Sequence, residues 1–421
     1  MLDTLRNAVR VSDLRRRVLY TLGMLALFRL GSYIPVPGVD PRAFADLLHG
    51  ETGNVFGLLD LFAGGALSNF SIFALGVNPY ITSSIILQLL TVVIPSLEEL
   101  AKEGVEGRKV LAQYTRWGTV VLGFVQAMAT VLLATRGGLV ERDFLSISVI
   151  LVSLTAGSML LMWMGELMTE NGIGNGISLI IFAGIVARFP QYAVRVVTAL
   201  GPGGVSYLGV VLYIILGLAV VVAVVMMQEG VRRIPVQYAR RVVGRRMYGG
   251  QSTHIPLRVN SAGVMPVIFA SSLLTFPATI GSWFPALSGI ERWMGYGTWG
   301  YNLIYAILVI FFTYFYTAVT FNPNDVADNL KKWGGFIPGL RPGRPTAEFL
   351  DRILTRITLV GAIFLAFIAI LPTLMARVTG IPTSLVYFGG TSLLIVVGVA
   401  LDTMKQIESQ LLMRHYEGFL R

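Results

Sequence analysis

A chain of 421 residues that is 54% hydrophobic and only 13% charged, with a mean hydropathy of +0.70, falls well below the roughly one-quarter charge of soluble domains. That balance excludes an ordinary soluble globular protein and points to a polytopic membrane protein. The absence of cysteine excludes disulfides, thiolate metal sites and cysteine nucleophiles, and the net charge of +10 has to be located before it implies a partner.

In chain order, runs apolar enough to cross about 30 Å of hydrocarbon occur at residues 18–35, 72–94, 117–136, 146–168, 177–197, 207–228, 260–281, 301–320, 355–377 and 385–402. The sequence therefore predicts an all-α protein of ten membrane spans. Basic residues precede the first run without a small-residue cleavage pattern, which predicts an uncleaved first span. Of 33 lysines and arginines, seven (Arg42, Arg136, Arg142, Arg188, Arg195, Arg292 and Arg377) fall on one side and Arg29 within the first span. The other 25 share the side of both termini, which the positive-inside rule places in the cytoplasm.

Residues 74–89, "ALGVNPYITSSIILQL", align with 261–276, "SAGVMPVIFASSLLTF", and 176–186, "GISLIIFAGIV", with 390–400, "GTSLLIVVGVA". The pairs are spans two and seven, and spans five and ten. Five spans separate the members of each, so they cross in opposite directions, as inverted-topology repeats must. The expected organisation is an N-terminal half over 1–200, a C-terminal half over 205–405 and a tail over 406–421. Long cytoplasmic loops are expected at about 229–259 and 321–355, and the functional site between the halves.

At the matched heights stand Ile81, Ile181, Ile268 and Ile395, with Val77 and Ile177 one turn away. They read either as an apolar collar that dewets and blocks ions or as ordinary helix packing. Spans two, five, seven and ten carry no acid at their centres. Arg29, Glu166 and Glu170 read as snorkelling or helix-pairing groups. Asn78-Pro79 is expected to loosen span two at pore height, as Pro266 does in span seven.

The glycines of "NGIGNGIS" lack the following Lys-Ser/Thr and preceding strand of a phosphate loop. His49, His254 and His415 form no catalytic or metal-binding pattern, so neither an enzyme nor a cofactor is expected. From the residues alone, two classes stay open: a gated channel, and a secondary transporter needing a solute site and a coupling charge.

Several long segments, in order, resemble the bacterial SecY family, the channel subunits of the Sec translocon. They are "GGALSNFSIFALGVNPYITSSIILQLL", "MTENGIGNGISLIIFAGIVA", "RRIPVQYARR", "QSTHIPLRVNSAGVMPVIFASS", "FNPNDVADNLKKWGGFIPGLRPGRPT" and "YFGGTSLLIVVGVALDT". The resemblance implies a passive protein-conducting pore in the bacterial inner membrane. Its halves hinge near 201–204 and open sideways between spans two and three and spans seven and eight. It carries a pore ring onto Val77, Ile81, Ile177, Ile181, Ile268 and Ile395. It carries a plug onto about 60–72, including Phe62, Gly64, Gly65, Ala66, Leu67 and Ser68.

Lateral-gate polar groups fall on Ser83, Ser84, Gln88, Gln126, Ser271, Ser272 and Thr275, whose hydroxyls either bond across the seam or back to their own helices. The implied partners are SecE, SecG, the motor ATPase SecA, the ribosome, signal peptides and nascent chains. Arg240, Arg241, Arg245, Arg246 and Arg341 are the candidate docking contacts, with anionic lipid as the other reading of these arginines.

Overall fold

The computed structural model describes residues 11–49, 60, 63–140, 143–201, 205–238, 241–243, 246–248, 252–281, 298–381 and 390–417. Among the described residues, ten long helices each overlie one expected span. The first half contains α1 (Ser12–Gly31), α3 (Asn78–Val93), α5 (Val105–Arg136), α6 (Phe144–Asn171) and α7 (Gly176–Thr198). The second contains α8 (Tyr207–Glu229), α9 (Met265–Gly281), α10 (Trp299–Thr320), α12 (Arg344–Thr379) and α13 (Gly390–Glu417). Shorter helices are α2 (Pro41–His49), α4 (Pro95–Lys102) and α11 (Pro323–Lys332). Six of the long helices qualify as spans by length and apolar content alone, and α3 with α4, bent by 102° at their junction, makes up to seven. Helix α9, at 17 residues, is short, while α1 and α13 carry charge near the basic face.

The packing order is the same in both halves. In the first, α3 packs on α5, α5 on α6 and α6 on α7, with α1 against α6 and α7; in the second, α9 packs on α10, α10 on α12 and α12 on α13, with α8 against α12 and α13. The halves meet where α3 touches α9 and α7 touches α13. These are the two helix pairs that the internal repeat matched, so sequence symmetry and contact symmetry coincide. Apolar residues of α8 such as Leu208, Ile214, Ile215, Leu218 and Val222 are exposed, a surface that is stable against acyl chains and not against water.

Local chemistry sets the helix ends. Asn175 Oδ1 accepts the Ser178 N–H at 3.1 Å and caps α7, and Thr298 Oγ1 accepts the Tyr301 N–H at 3.2 Å to start α10. Both supply an acceptor to otherwise unpaired first-turn donors. Between α6 and α7, the N–H groups of Ile173, Gly174 and Gly176 donate to Thr21 Oγ1, Gln406 Oε1 and Thr169 Oγ1 at 2.9–3.1 Å. The glycine run is thus a turn locked to both halves, its donors already used.

The two long loops on the basic face fold together, which the sequence did not reveal. β1 (Val231–Tyr238) pairs antiparallel with β4 (Ser252–Arg258) and, at its other edge, with β5 (Gly335–Phe336), in the order β4-β1-β5. β2 (Arg241–Val243) and β3 (Arg246–Tyr248) form a separate antiparallel pair at the tip. Ile234, Val236, Leu257, Ile337 and Leu350 make a small core beneath the sheet.

Close helix approach depends on glycine. A Cβ at Gly157 of α6 would lie 1.8 Å from the Ile72 carbonyl oxygen, a clash with backbone that no rotamer relieves. Gly157→Ala should therefore lower stability by about 1–3 kcal/mol, read as a fall in the thermal unfolding midpoint of the detergent-solubilised chain.

Candidate pore

The candidate site is built at helix starts. Asn78 is the first residue of α3, with Pro79 in its first turn, and Pro266 is the second residue of α9. The expectation that these prolines loosen spans two and seven from within is corrected. At the first turn a proline loses no intrahelical hydrogen bond and its fixed φ favours initiation. Each proline therefore defines where a helix begins, and so fixes the height of the side chains one turn on.

Those side chains converge. Val77, Ile81, Ile181, Ile268 and Ile395 are buried in one apolar cluster, and Ile177 packs against it partly buried. Ile81, Ile177, Ile181 and Ile268 line a cavity of about 270 Å³, alongside Ser84 and Gln88. The residues lining that cavity include no Asp, Glu, Lys or Arg. On the basic face it adjoins a polar cavity of about 470 Å³, with Asn175, Ser178, Met265 and Tyr316 common to both. On the opposite face a third cavity, of about 610 Å³, is lined by Ser68, Asn69, Arg42, Arg188 and Arg195. Cavities with charged linings thus lie on either face of an uncharged waist that carries four isoleucines beside Ser84, Gln88, Asn175 and Ser178.

Residues 63–70 form consecutive turns. The reason lies in the backbone: Gly64 and Gly65 have φ of +65° and +91°, and a Cβ on Gly64 would sit 2.7 Å from the Gly184 Cα of α7. Left-handed backbone in close contact admits only glycine without strain. Ala63 and Ala66 join the apolar cluster of the collar. Leu67 and Phe70 face a second cluster, in which the Phe70 ring meets Phe44 edge-on at 4.6 Å. Phe62 lies outside the described residues.

The polar side of this segment is held by Asp60, Arg188 and Arg29, the last of which reads from the sequence as a snorkelling or helix-pairing group. Arg188 of α7 makes a buried ion pair with Asp60, and its Nη2 donates to Ser68 Oγ at 2.8 Å. The Asp60 Oδ1 accepts the Ser68 N–H at 2.8 Å. Arg29 of α1 donates from Nη1 to the Gly64 carbonyl at 2.7 Å and lies over the Tyr33 ring. The available signal was two arginines inside apolar runs, Arg29 and Arg188, and an acid, Asp60, ahead of the second run. Glu166, by contrast, is paired with Arg116 at 2.8 Å, as helix pairing implies.

The gate candidates divide. Ser83 Oγ donates to the Thr115 carbonyl of α5 at 2.8 Å, a bond between spans two and three within one half. Ser271 Oγ donates back to the Ile268 carbonyl of its own helix at 2.8 Å. Ser84 and Gln88 face the central cavity. Gln126 and Ser272 are partly buried in α5 and α9, and Thr275 belongs to α9, its side chain outside the described set.

Of the docking candidates, Arg241 and Arg246 lie on β2 and β3, while Arg240 and Arg245 fall outside the described residues, as do 202–204 of the expected hinge. Arg341 is exposed in the turn after β5, with its carbonyl accepting Thr346 Oγ1 at 2.9 Å.

Comparison with known proteins bears on this arrangement. The family model described as SecY matches residues 71–404. The protein translocase subunit SecY of Mycobacterium bovis is 48% identical, with all of both chains covered. Among solved structures, one described as a protein conducting channel superposes with a TM-score of 0.61 at 20% identity, covering 94% of this chain and 92% of that one. Sec61 in the canine ribosome-channel complex from the endoplasmic reticulum gives 0.55 at 19% identity, over 94% and 92%. The structural likeness carries the fold, and the full-length sequence identity carries the kinship: this chain belongs to the SecY family, whose members are protein translocase channel subunits.

Proposed function

We propose that the chain forms the pore through which unfolded secretory polypeptides cross the bacterial cytoplasmic membrane, and from which hydrophobic segments leave sideways into the bilayer. The observation that carries this reading is the uncharged central cavity, with Ile81, Ile177, Ile181 and Ile268 on its wall, and the charged linings of the cavities on either face. A carrier needs a charged or polar solute site at the midplane. An apolar waist binds no particular solute, stays dry when empty and accommodates any side chain that is pushed through.

Val77, Ile81, Ile177, Ile181, Ile268 and Ile395 form the seal in this reading, and residues 60–72 are the stopper resting on it. The seam between α3 and α9 is the lateral exit. Ser83 braces α3 to α5, so α3 and α5 move as one panel. The basic face, with both termini, lies in the cytoplasm. Energy comes from outside the chain, since family members are channel subunits and not enzymes. SecA and the ribosome dock on the β2-β3 pair and the turn that carry Arg241, Arg246 and Arg341, with Arg240 and Arg245 their neighbours in sequence. SecE and SecG complete the complex, and signal peptides and nascent chains are its cargo. The relative in the canine complex is itself ribosome-bound, which supports the ribosome on this list.

The natural chain has no cysteine, so Ser68→Cys provides a unique thiol on the stopper. Labelling by a membrane-impermeant maleimide from the non-cytoplasmic side should be slow at rest and at least about tenfold faster during translocation, the tenfold corresponding to about 1.4 kcal/mol of shifted equilibrium. Equal rates in resting and translocating vesicles would remove the stopper from the proposal.

A further inference from the structure

We infer that Arg188 and Asp60 are a latch: a buried ion pair that fastens the stopper to one half of the channel and must break for the stopper to leave. The inference rests on the pore reading and adds a gating step to it. Arg188 is 8% exposed and Asp60 3%, so neither charge is a solvated surface group. Neither is explained by orientation, since Arg188 lies on the side poor in basic residues.

The fastening is redundant around one point. Asp60 accepts Arg188 Nη2 on one carboxylate oxygen and the Ser68 N–H on the other, and Arg188 Nη2 also reaches Ser68 Oγ. The Gly65 N–H donates to the Asp60 carbonyl at 2.9 Å, and a Cβ on Gly65 would lie 2.7 Å from Arg188 Nη2. The glycine therefore makes the room in which the guanidinium sits. On the other flank Arg29 holds the Gly64 carbonyl.

Two features distinguish a latch from a static core pair. Arg188 and Ser68 line the outer cavity of about 610 Å³, so a guanidinium released by the stopper enters a polar vestibule. Removing one partner chemically, by contrast, strands a buried charge. The ion pair is thus favourable in one position and affordable to break only by movement. Secondly, Arg29 and Arg188 both belong to the first half, on α1 and α7. Parting of α3 from α9 does not by itself disturb them. The geometry assigns opening two separable events, parting of the halves and release of the latch, with Arg188 as a positioning residue acting through the stopper.

The test uses the full chain reconstituted in planar bilayers without cargo, reading resting ion conductance. Asp60→Asn and Arg188→Met should each raise it at least about tenfold. The double variant Asp60→Leu/Arg188→Met, which removes both charges and substitutes apolar volume, should return conductance to within about threefold of wild type. Arg188→Lys, which keeps the charge and loses the fork, should fall between, and serves if a neutral variant fails to assemble. Wild-type conductance in the single variants, or a double variant leakier than either single one, overturns the latch. If collar variants leak while latch variants do not, the latch alone fails; if neither leaks, the pore reading fails first.

Discussion

Asparagine in place of Ile81 and Ile268 turns a chain that is silent at rest into an ohmic leak in planar bilayers. Both side chains are buried in the central cluster and both line the 270 Å³ cavity. Each substitution withdraws about 1.5–3 kcal/mol of apolar burial. Each also places an amide on the wall of a cavity that already holds Ser84, Gln88 and Asn175, where entering water gains a hydrogen-bond partner. Both terms favour a wetted waist. As about 1.4 kcal/mol is tenfold in an equilibrium, resting conductance should rise by one to two orders of magnitude per site. Ile81→Leu conserves volume and polarity and should stay within about threefold of wild type. Variants that lose coupled uptake of a small solute, with no ohmic current, would show a carrier, and the channel assignment would fall.

The collar was legible because its chemistry is written in pattern. The repeat aligned Ile81 with Ile268 and Ile181 with Ile395 before any contact was known, and the two halves meet through those same helix pairs. Membrane spans were legible for a similar reason: the bilayer imposes one length and one polarity on each. The strands of the cytoplasmic loops were not. "VRRIPVQY" and "STHIPLR" carry too few apolar residues for a periodic signal, and β1 is completed by β5 from a loop almost 100 residues later, a pairing that no local window contains.

The stopper was half legible. The resemblance carried a plug onto about 60–72, but no local sequence pattern specified its backbone conformation. What decides is the approach of Gly64 to Gly184, a long-range contact. Asp60 and Arg188 escaped for the same reason: a lone charge in or near an apolar run has a bland explanation until its partner, more than a hundred residues away, is seen beside it. Pro79 misled because a proline within a hydropathy window and a proline at a helix start give the same average.

Arg341→Glu should abolish motor-driven export while leaving the chain folded and inserted. The residue sits on a rigid base: Gly339 and Gly343, with φ of +85° and +104°, set the turn, and Ile337 and Leu340 anchor it in the cluster around Leu350. The guanidinium itself is exposed, so its reversal disturbs no packing. At a docking surface an exposed arginine that meets a carboxylate or phosphate is a candidate hot spot, and reversing its sign replaces attraction by repulsion at a cost of about 2–5 kcal/mol. Import of an unfolded polypeptide into vesicles driven by SecA and ATP should then drop at least about thirtyfold, the lower bound of that range. If the arginine only anchors to anionic lipid, the loss is about 1 kcal/mol per charge and position-independent. Arg344, equally exposed and paired loosely with Glu348 at 3.5 Å, separates the two: Arg344→Glu should cost import little, whereas equal effects at both sites would favour lipid. Undiminished import by the Arg341 variant would remove this turn from the docking surface altogether.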